Sequence, residues 1–343
     1  MIKNEGKILS TNDLSIGYIQ GKQERKILFQ NLNLHLKKGR LTALIGHNGV
    51  GKSTLLKTIV NLNPVLEGNI ELKGKNIQHF TRMELARYIS FVSTETIRFN
   101  NLSVFELAAL GRFPYLNWIG KLNERDEEVT RNSLHSMGIT HLEKKLVGAL
   151  SDGEKQKAMI ARCLAQETEI IVMDEPTAFL DMASKFDMMV NLHKLARSGG
   201  KTILFSSHDL HLVLKNADDT WLMTNNEIYQ GIPEDLVLNG YFNKLFSSPF
   251  LTFDKESGDF KFQMNAKNQV NVVGLKNHVH KWTMNALERE GYLPIEGSGP
   301  VEVKILNDNK VTWEISTGDA KYNAQSLQQV IEILEKQVCS NSC

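Results

Sequence analysis

Cysteine is scarce. The chain has three in 343 residues, Cys163, Cys339 and Cys343. An odd and sparse set without C-x-x-C spacing excludes a disulfide framework and a cysteine-based zinc site. Cys163 lies among apolar residues of a helical stretch and is expected to be buried. Long apolar runs are absent as well. None approaches the roughly 18–20 residues that cross a bilayer as a helix. Met1 to Leu9 is polar and lacks the apolar core of a secretory signal. Charge of one sign is not in excess, with 40 Lys and Arg against 39 Asp and Glu. This balance excludes a global field toward nucleic acid or an anionic membrane surface. No basic stretch with interleaved aromatics compensates locally. The chain therefore reads as cytosolic, and any membrane role has to come through a partner.

What is present suffices for one large domain and a small one. Leu32, Leu34 and Leu36 alternate with polar residues, the period of a half-buried strand. Leu41 to Ile45 is a short apolar run ending at Gly46, after which Leu55, Leu56, Ile59 and Val60 take up helical spacing. From about Val104 to Lys157 the pattern is mostly helical, broken at Gly111, Pro114, Gly120 and Gly138. Ile170 to Met173 and Ile203 to Phe205 are continuous apolar runs, as expected of strands buried on both faces. The stretch around Pro249 and Gly258 carries many charges and reads as a linker over 249–264. Beyond it, strands near 270–273, 301–306 and 311–315 and helices near 280–290 and 326–337 suggest a small α+β module over 265–338. The large domain then occupies 7–248.

Chemistry concentrates in the large domain. Gly46-His47-Asn48-Gly49-Val50-Gly51-Lys52-Ser53 fits the phosphate-loop pattern G-x-x-x-x-G-K-[ST], between an apolar strand and a helix. The glycines let backbone N–H groups approach phosphate oxygens, and the helix offers its N-terminus to the anion. Lys52 can reach the β- and γ-phosphates, Ser53 can ligate Mg²⁺, and Thr54 extends the nucleotide-binding set. Asp174 and Glu175 end the run Ile170–Met173. One acid is needed near the metal and one at the attacking water, roles that fit Asp174 and Glu175 in that order. His208 follows another buried strand and is expected to face the same crevice as a γ-phosphate contact.

The set Gly46–Ser53, Leu150-Ser151-Asp152-Gly153-Glu154, Asp174-Glu175-Pro176-Thr177, Leu180-Asp181 and Ser207-His208-Asp209 resembles an ABC (ATP-binding cassette) ATPase over about residues 7 to 248. The resemblance implies an α/β P-loop cassette with a RecA-like core, an antiparallel β edge and a helical subdomain. It implies ATP and Mg²⁺ as cofactors and a homodimer that sandwiches two nucleotides. Ser151 and Gly153 of one copy would then touch the γ-phosphate held by the other, with Asp152 beside them. Tyr18 matches the residue that stacks on adenine, and Leu180 and Asp181 match a loop that communicates across the dimer. The segment Leu102–Tyr115, with its Gly-Arg-x-Pro-aromatic end, resembles ATPases of ferric siderophore, haem and vitamin B12 importers. That implies polytopic permease partners, an indirect substrate-binding protein and a place at the cytoplasmic face of the membrane. Phe113, Tyr115, Leu116, Trp118 and Ile119 could receive a permease helix, or could equally be subdomain packing.

Two departures stand out. The signature is usually Leu-Ser-Gly-Gly-Gln, whereas Asp152 and Glu154 stand here. An acid near a γ-phosphate repels it unless a basic group pairs with it, for which Lys155 and Lys157 are near, so weaker or more tightly regulated turnover is expected. The family's sensing glutamine is replaced at Thr94-Glu95, either of which could contact Mg²⁺ or water. Two alternatives stay open: a soluble ABC ATPase without a permease, and a nucleotide-gated regulatory subunit with negligible hydrolysis.

Overall fold

The computed structural model describes residues 6–20, 24–93, 101–116, 120–246, 248, 250–262, 268–295, 297, 299–307, 310–318 and 320–340. The chain divides into two compact units, Met1–Lys261 and Phe262–Cys343.

The first unit is built on a six-stranded sheet. Its order is Ile228–Gly231, Asp219–Met223, Leu41–Gly46, Thr202–Ser207, Ile170–Met173, Ile89–Val92. All neighbours are parallel except the Ile228–Gly231 edge. Alternation splits the central strands between two cores. Leu44, Ile170, Val172, Leu204, Trp221 and Met223 face an antiparallel sheet. Leu41, Ala43, Ile45, Ile171, Met173, Ile203 and Phe205 face the helices. Two covered faces explain why these strands are continuous apolar runs in sequence. The antiparallel sheet centres on Lys7–Gln20, flanked by Glu24–Leu32 and Glu67–Leu72. The alternation at Leu32, Leu34 and Leu36 is not one strand. Asn31 takes a left-handed φ of 55°, and the chain re-enters the sheet only at His35–Lys37.

A helical subdomain follows, with helices Val104–Ala109, Glu124–Ser136 and Asp152–Ala165. Each begins with a reciprocal capping box: Ser103 with Glu106, Asn123 with Asp126, Ser151 with Glu154. Such boxes satisfy two N–H groups that a helix start would otherwise leave bare. The Gly-Arg-x-Pro segment braces this subdomain. A Cβ at Gly111 would stand 2.0 Å from the Arg162 carbonyl, so only glycine lets these two segments touch. Arg112 is buried, bonded to Asp126 at 2.9 Å, to the Ala165 carbonyl at 2.7 Å and to Glu167 at 2.6 Å. Cys163 is free and buried, as its apolar neighbours suggest.

The expected linker over 249–264 is corrected by the structure. It holds a hairpin, Leu251–Asp254 with Asp259–Phe262, that belongs largely to the first unit. Phe253 stacks on Phe242 at 5.0 Å and meets Phe260 edge-on at 5.2 Å. Asp254 holds the turn through Lys261 and Ser257, both at 2.8 Å. Burial pushes its carboxyl pKa up, but these bonds outweigh that and bring it down to about 2.

The second unit is a five-stranded sheet in the order Tyr292–Ile295, Asn268–Val273, Val301–Asn307, Val311–Thr317, Ala320–Ala324. Val270, Val272, Val303, Trp313, Ile315 and Ala324 share one face and pack with Leu287, Val330, Ile331 and Leu334 from helices His278–Arg289 and Leu327–Ser340. The Trp313 indole donates to Thr283 Oγ1 at 3.0 Å, tying sheet to helix.

Candidate active site

The functional side chains of the first unit gather at the carboxyl edge of the six-stranded sheet. Register places Gly46 beside Met223, Ile45 beside Ser207 and Met173 beside Phe205. Residues just past these strand ends therefore meet over one edge, where an open α/β sheet binds ligands.

The phosphate loop is built from backbone. Gly49 and Gly51 take φ of 81° and 119°, which side-chain-bearing residues rarely adopt. Gly46 has a different reason: a Cβ there would lie 2.8 Å from Val50 Cγ1 and 2.9 Å from the Met223 carbonyl. Val50 is buried and pins the loop to the core. Helix Lys52–Ile59 starts at Gly51 with no side-chain cap and no acid in its first turn. Its N-terminal dipole is left for an anion. Ser53 is exposed beside it, and Thr54 is half-buried with its carbonyl accepting from Thr58. His47 turns its ring to Asn225 and to the Asn48 carbonyl, and Asn48 itself is exposed.

Lys52 is buried. Its ammonium donates to the Gly46 carbonyl at 2.8 Å and the His47 carbonyl at 3.2 Å. Burial pulls its pKa below the ordinary lysine value, while Glu175 and then Asp174 push it back up. Glu175 Oε1 stands 3.9 Å from the ammonium, facing it without closing a hydrogen bond. Glu175 Oε2 stands 3.5 Å from His208 Nδ1. Lys52, Glu175 and His208 are thus brought together. Asp174 is buried one residue before Glu175.

One member of this cluster was not singled out from sequence. Ser206 Oγ donates to Asp174 Oδ1 at 2.7 Å and accepts the Glu175 N–H at 2.8 Å. The only trace it leaves in sequence is a hydroxyl directly after the apolar run Ile203–Phe205.

The remaining candidates form a separate group. Ser151 caps helix Asp152–Ala165, and its hydroxyl and N–H both donate to the Glu154 carboxylate, at 3.0 and 2.8 Å. Those bonds hold the Glu154 carboxyl below the usual range. Asp152 pairs with Lys155 at 3.3 Å, one of the two partners expected. A Cβ on Gly153 would lie 3.7 Å from Ser184 Oγ and 3.8 Å from Leu180 Cδ2. The signature therefore packs on the loop of Leu180 and Asp181. Asp181 caps helix Met182–Arg197 by accepting from the Ser184 N–H at 2.8 Å. Tyr18 is exposed on the antiparallel sheet, with the Lys26 ammonium 5.7 Å from its ring centroid. Thr94 and Glu95, and with them Trp118 and Ile119, lie outside the described residues.

No group of three or more His, Cys, Asp and Glu able to hold a metal exists among the described residues. A cation in the cleft would rest on Ser53 and Asp174 and would need phosphate oxygens and water to complete its shell. That is how Mg²⁺ is usually held beside a nucleotide, so the donor set fits.

Comparison with known proteins agrees with this geometry. The ABC transporter family matches residues 29–178, and the iron ABC transporter C-terminal domain matches residues 267–335. The achromobactin transport ATP-binding protein CbrD of Dickeya dadantii is 35% identical over 67% of this chain and 84% of its own length. The ferric enterobactin transport ATP-binding protein FepC of Escherichia coli is 34% identical over 72% of this chain and 89% of its own. An inward-facing structure of a metal-chelate type ABC transporter superposes with a TM-score of 0.61 at 30% identity, covering 74% of this chain and 95% of that one. The chain belongs to the ABC transporter ATP-binding proteins, the ATP-hydrolysing subunits of these machines, and carries the C-terminal domain of the iron-transporting branch.

Proposed function

We propose that this protein drives uptake of an iron chelate of the siderophore or haem class by hydrolysing ATP beneath a partner permease. The observation that carries the reading is the convergence of Lys52, Glu175 and His208 on one strand edge, with buried Asp174 adjoining. Its cargo class rests on the iron-type C-terminal domain and on relatives named for siderophores. Tyr18 stacks on the adenine, and the N–H groups of 46–54 wrap the phosphates. Lys52 exchanges its carbonyl partners for β- and γ-phosphate oxygens. Ser53 and Asp174 would hold Mg²⁺, which would supply charge neutralisation on the phosphates. Glu175 aligns water behind the γ-phosphate and takes its proton as the new O–P bond forms. The bond to the β-phosphate oxygen breaks, and ADP and phosphate leave. His208 holds the γ-phosphate oxygens from the other side of Glu175.

Two copies would act together. Phe179 is 87% exposed and Met182 76%, flanking Asp181 beside the signature. Apolar surface of this kind normally meets a partner, and a second copy brings the signature of one to the nucleotide of the other. No helix among the described residues is long and apolar enough to cross a membrane. We assign the permease contact to a surface groove of about 310 Å³ lined by Val60, Leu62, Leu85, Ala86, Phe91 and Gln166. Phe113, 66% exposed, extends this face, because Tyr115 donates to the Gln166 carbonyl and Arg87 to that of Pro114. Tyr115 itself packs under Arg112 at 4.2 Å, so the aromatic cluster serves the subdomain and the partner at once. Leu62→Glu and Phe113→Glu are expected to abolish recovery of a polytopic permease in a mild-detergent pull-down from native membranes. The ATPase rate of the purified chain should stay within about twofold, since exposed substitutions are nearly neutral for stability. Recovery of the permease by both variants would remove this face from the interface.

A second reading has its own observation. The single hydroxyl proton of Ser151 is spent on Glu154 rather than left for a phosphate oxygen. With Asp152 beside it, the signature carries two acids where a nucleotide must bind, each tied to a lysine, Asp152 to Lys155 at 3.3 Å and Glu154 to Lys145 at 3.9 Å, an arrangement that fits a restrained or gated ATPase. Glutamine preserves the capping box without the charge. The pair Asp152→Gly and Glu154→Gln is expected to raise turnover about 3- to 10-fold, equivalent to about 0.7–1.4 kcal/mol at the barrier. Unchanged steady-state phosphate release would show that the two acids do not restrain the enzyme.

A further inference from the structure

We propose that Ser206 is a positioning residue for hydrolysis, its one hydroxyl setting both acids of the Asp174–Glu175 pair. The inference rests on the assignment of Asp174 to the metal and Glu175 to the water. It concerns a residue in neither role.

Ser206 is fully buried in strand Thr202–Ser207, beside the strand that ends at Met173. A serine hydroxyl has one proton and two lone pairs. The proton goes to Asp174 Oδ1 at 2.7 Å. This fixes the rotation of a buried carboxylate and commits one of its oxygens, so the other is the one presented toward a cation. A lone pair receives the Glu175 N–H at 2.8 Å. That second bond acts on backbone. Glu175 has a φ of 45°, a left-handed conformation that a residue with a Cβ holds only when its surroundings impose it. Relaxation of this turn would swing the Glu175 side chain away from Lys52 and His208, which it faces at 3.9 and 3.5 Å. The same hydroxyl therefore controls the metal-side acid through its carboxylate and the water-side acid through its peptide. Alanine or valine would fill the strand position as well for packing alone. A buried hydroxyl stands here instead, with one bond to the Asp174 carboxylate and the other to the Glu175 peptide N–H.

The test uses the full chain with Ser206→Ala and the nearly isosteric Ser206→Cys, whose thiol is a weak donor. The readouts are kcat, KM for ATP, and the Mg²⁺ concentration giving half-maximal rate. Both variants should lose about 10- to 100-fold in kcat, the cost of a misplacement on the ångström scale. Both should need several-fold more Mg²⁺, with KM for ATP changed less than about twofold. A variant that merely folds less well lowers the active fraction but leaves half-saturation by Mg²⁺ where it was. If neither variant shifts the Mg²⁺ requirement, the positioning role is overturned. Glu175→Gln run alongside separates the two assignments. If it hydrolyses ATP normally, the underlying roles of the acids fail. If it is inactive while the Ser206 variants behave as wild type, only the role of Ser206 fails.

Discussion

Glu175→Gln is expected to bind ATP with wild-type affinity and to hydrolyse it about 10²- to 10⁴-fold more slowly, the range that loss of a general base costs. The amide keeps the volume of the carboxylate and leaves the N–H bond to Ser206 in place. It can no longer accept the proton of the attacking water. The groups that hold nucleotide in the ground state, the loop backbone and Lys52, are untouched. The loss should therefore fall on kcat and not on KM. Removal of a negative charge 3.9 Å from the Lys52 ammonium frees that lysine further for phosphate, so affinity for ATP should hold or rise slightly. Steady-state phosphate release and titration with a fluorescent ATP analogue measure the two quantities. Size-exclusion chromatography with ATP should show the variant as a dimer, because closure is no longer relieved by hydrolysis. A variant that turns over normally would take Glu175 out of the reaction.

The parts of this site that were legible in the sequence are those fixed by neighbours in the chain. Gly49, Gly51 and Lys52 are specified by backbone geometry within one turn, and Asp174-Glu175 and His208 by a strand that has just ended. The group that joins them, Ser206, is 31 and 32 residues from its two partners and meets them only through strand pairing. No local pattern encodes that contact. The fold shows the same division. Strands with two covered faces announced themselves as apolar runs. The 14-residue strand Lys7–Gln20 did not, since register shifts between Lys7 and Leu9, Asn12 and Ser15, and Leu14 and Ile16 scramble its period of two. Tyr292–Ile295 was hidden by Pro294, tolerated because this strand lies at a sheet edge. Ala320–Ala324 was hidden by its polar outer face. The hairpin 251–262 looked like a linker because of its charges. Those charges have partners, Asp254 with Lys261 inside the hairpin and Asp259 with His211 of the helix Leu210–Asn216, while Phe253 and Phe260 carry the packing.

The Gly-Arg-x-Pro segment was legible as a family resemblance and not as physics, and the physics gives the largest stability effect expected for this chain. Arg112→Ala should destabilise the first unit by about 3–5 kcal/mol, the usual cost of removing one partner from a buried ion pair. Arg112 and Asp126 are both buried, 2.9 Å apart. The guanidinium also satisfies the Ala165 carbonyl, bonds Glu167, and lies over the Tyr115 ring at 4.2 Å. Its loss strands the Asp126 carboxylate, which in turn accepts the Asn123 N–H at the start of helix Glu124–Ser136. Three segments of the helical subdomain are therefore loosened together. Urea unfolding followed by circular dichroism measures the cost from the shift in midpoint at constant slope. The comparison that isolates the cause is Arg112→Met with Asp126→Leu, which removes both charges and puts apolar side chains in their place. This double variant should recover most of the lost stability, because a paired buried charge gains little over well-packed apolar atoms while an unpaired one is costly. If the double variant is as unstable as Arg112→Ala, the carbonyl of Ala165 and the ring of Tyr115, not the ion pair, are what the arginine holds.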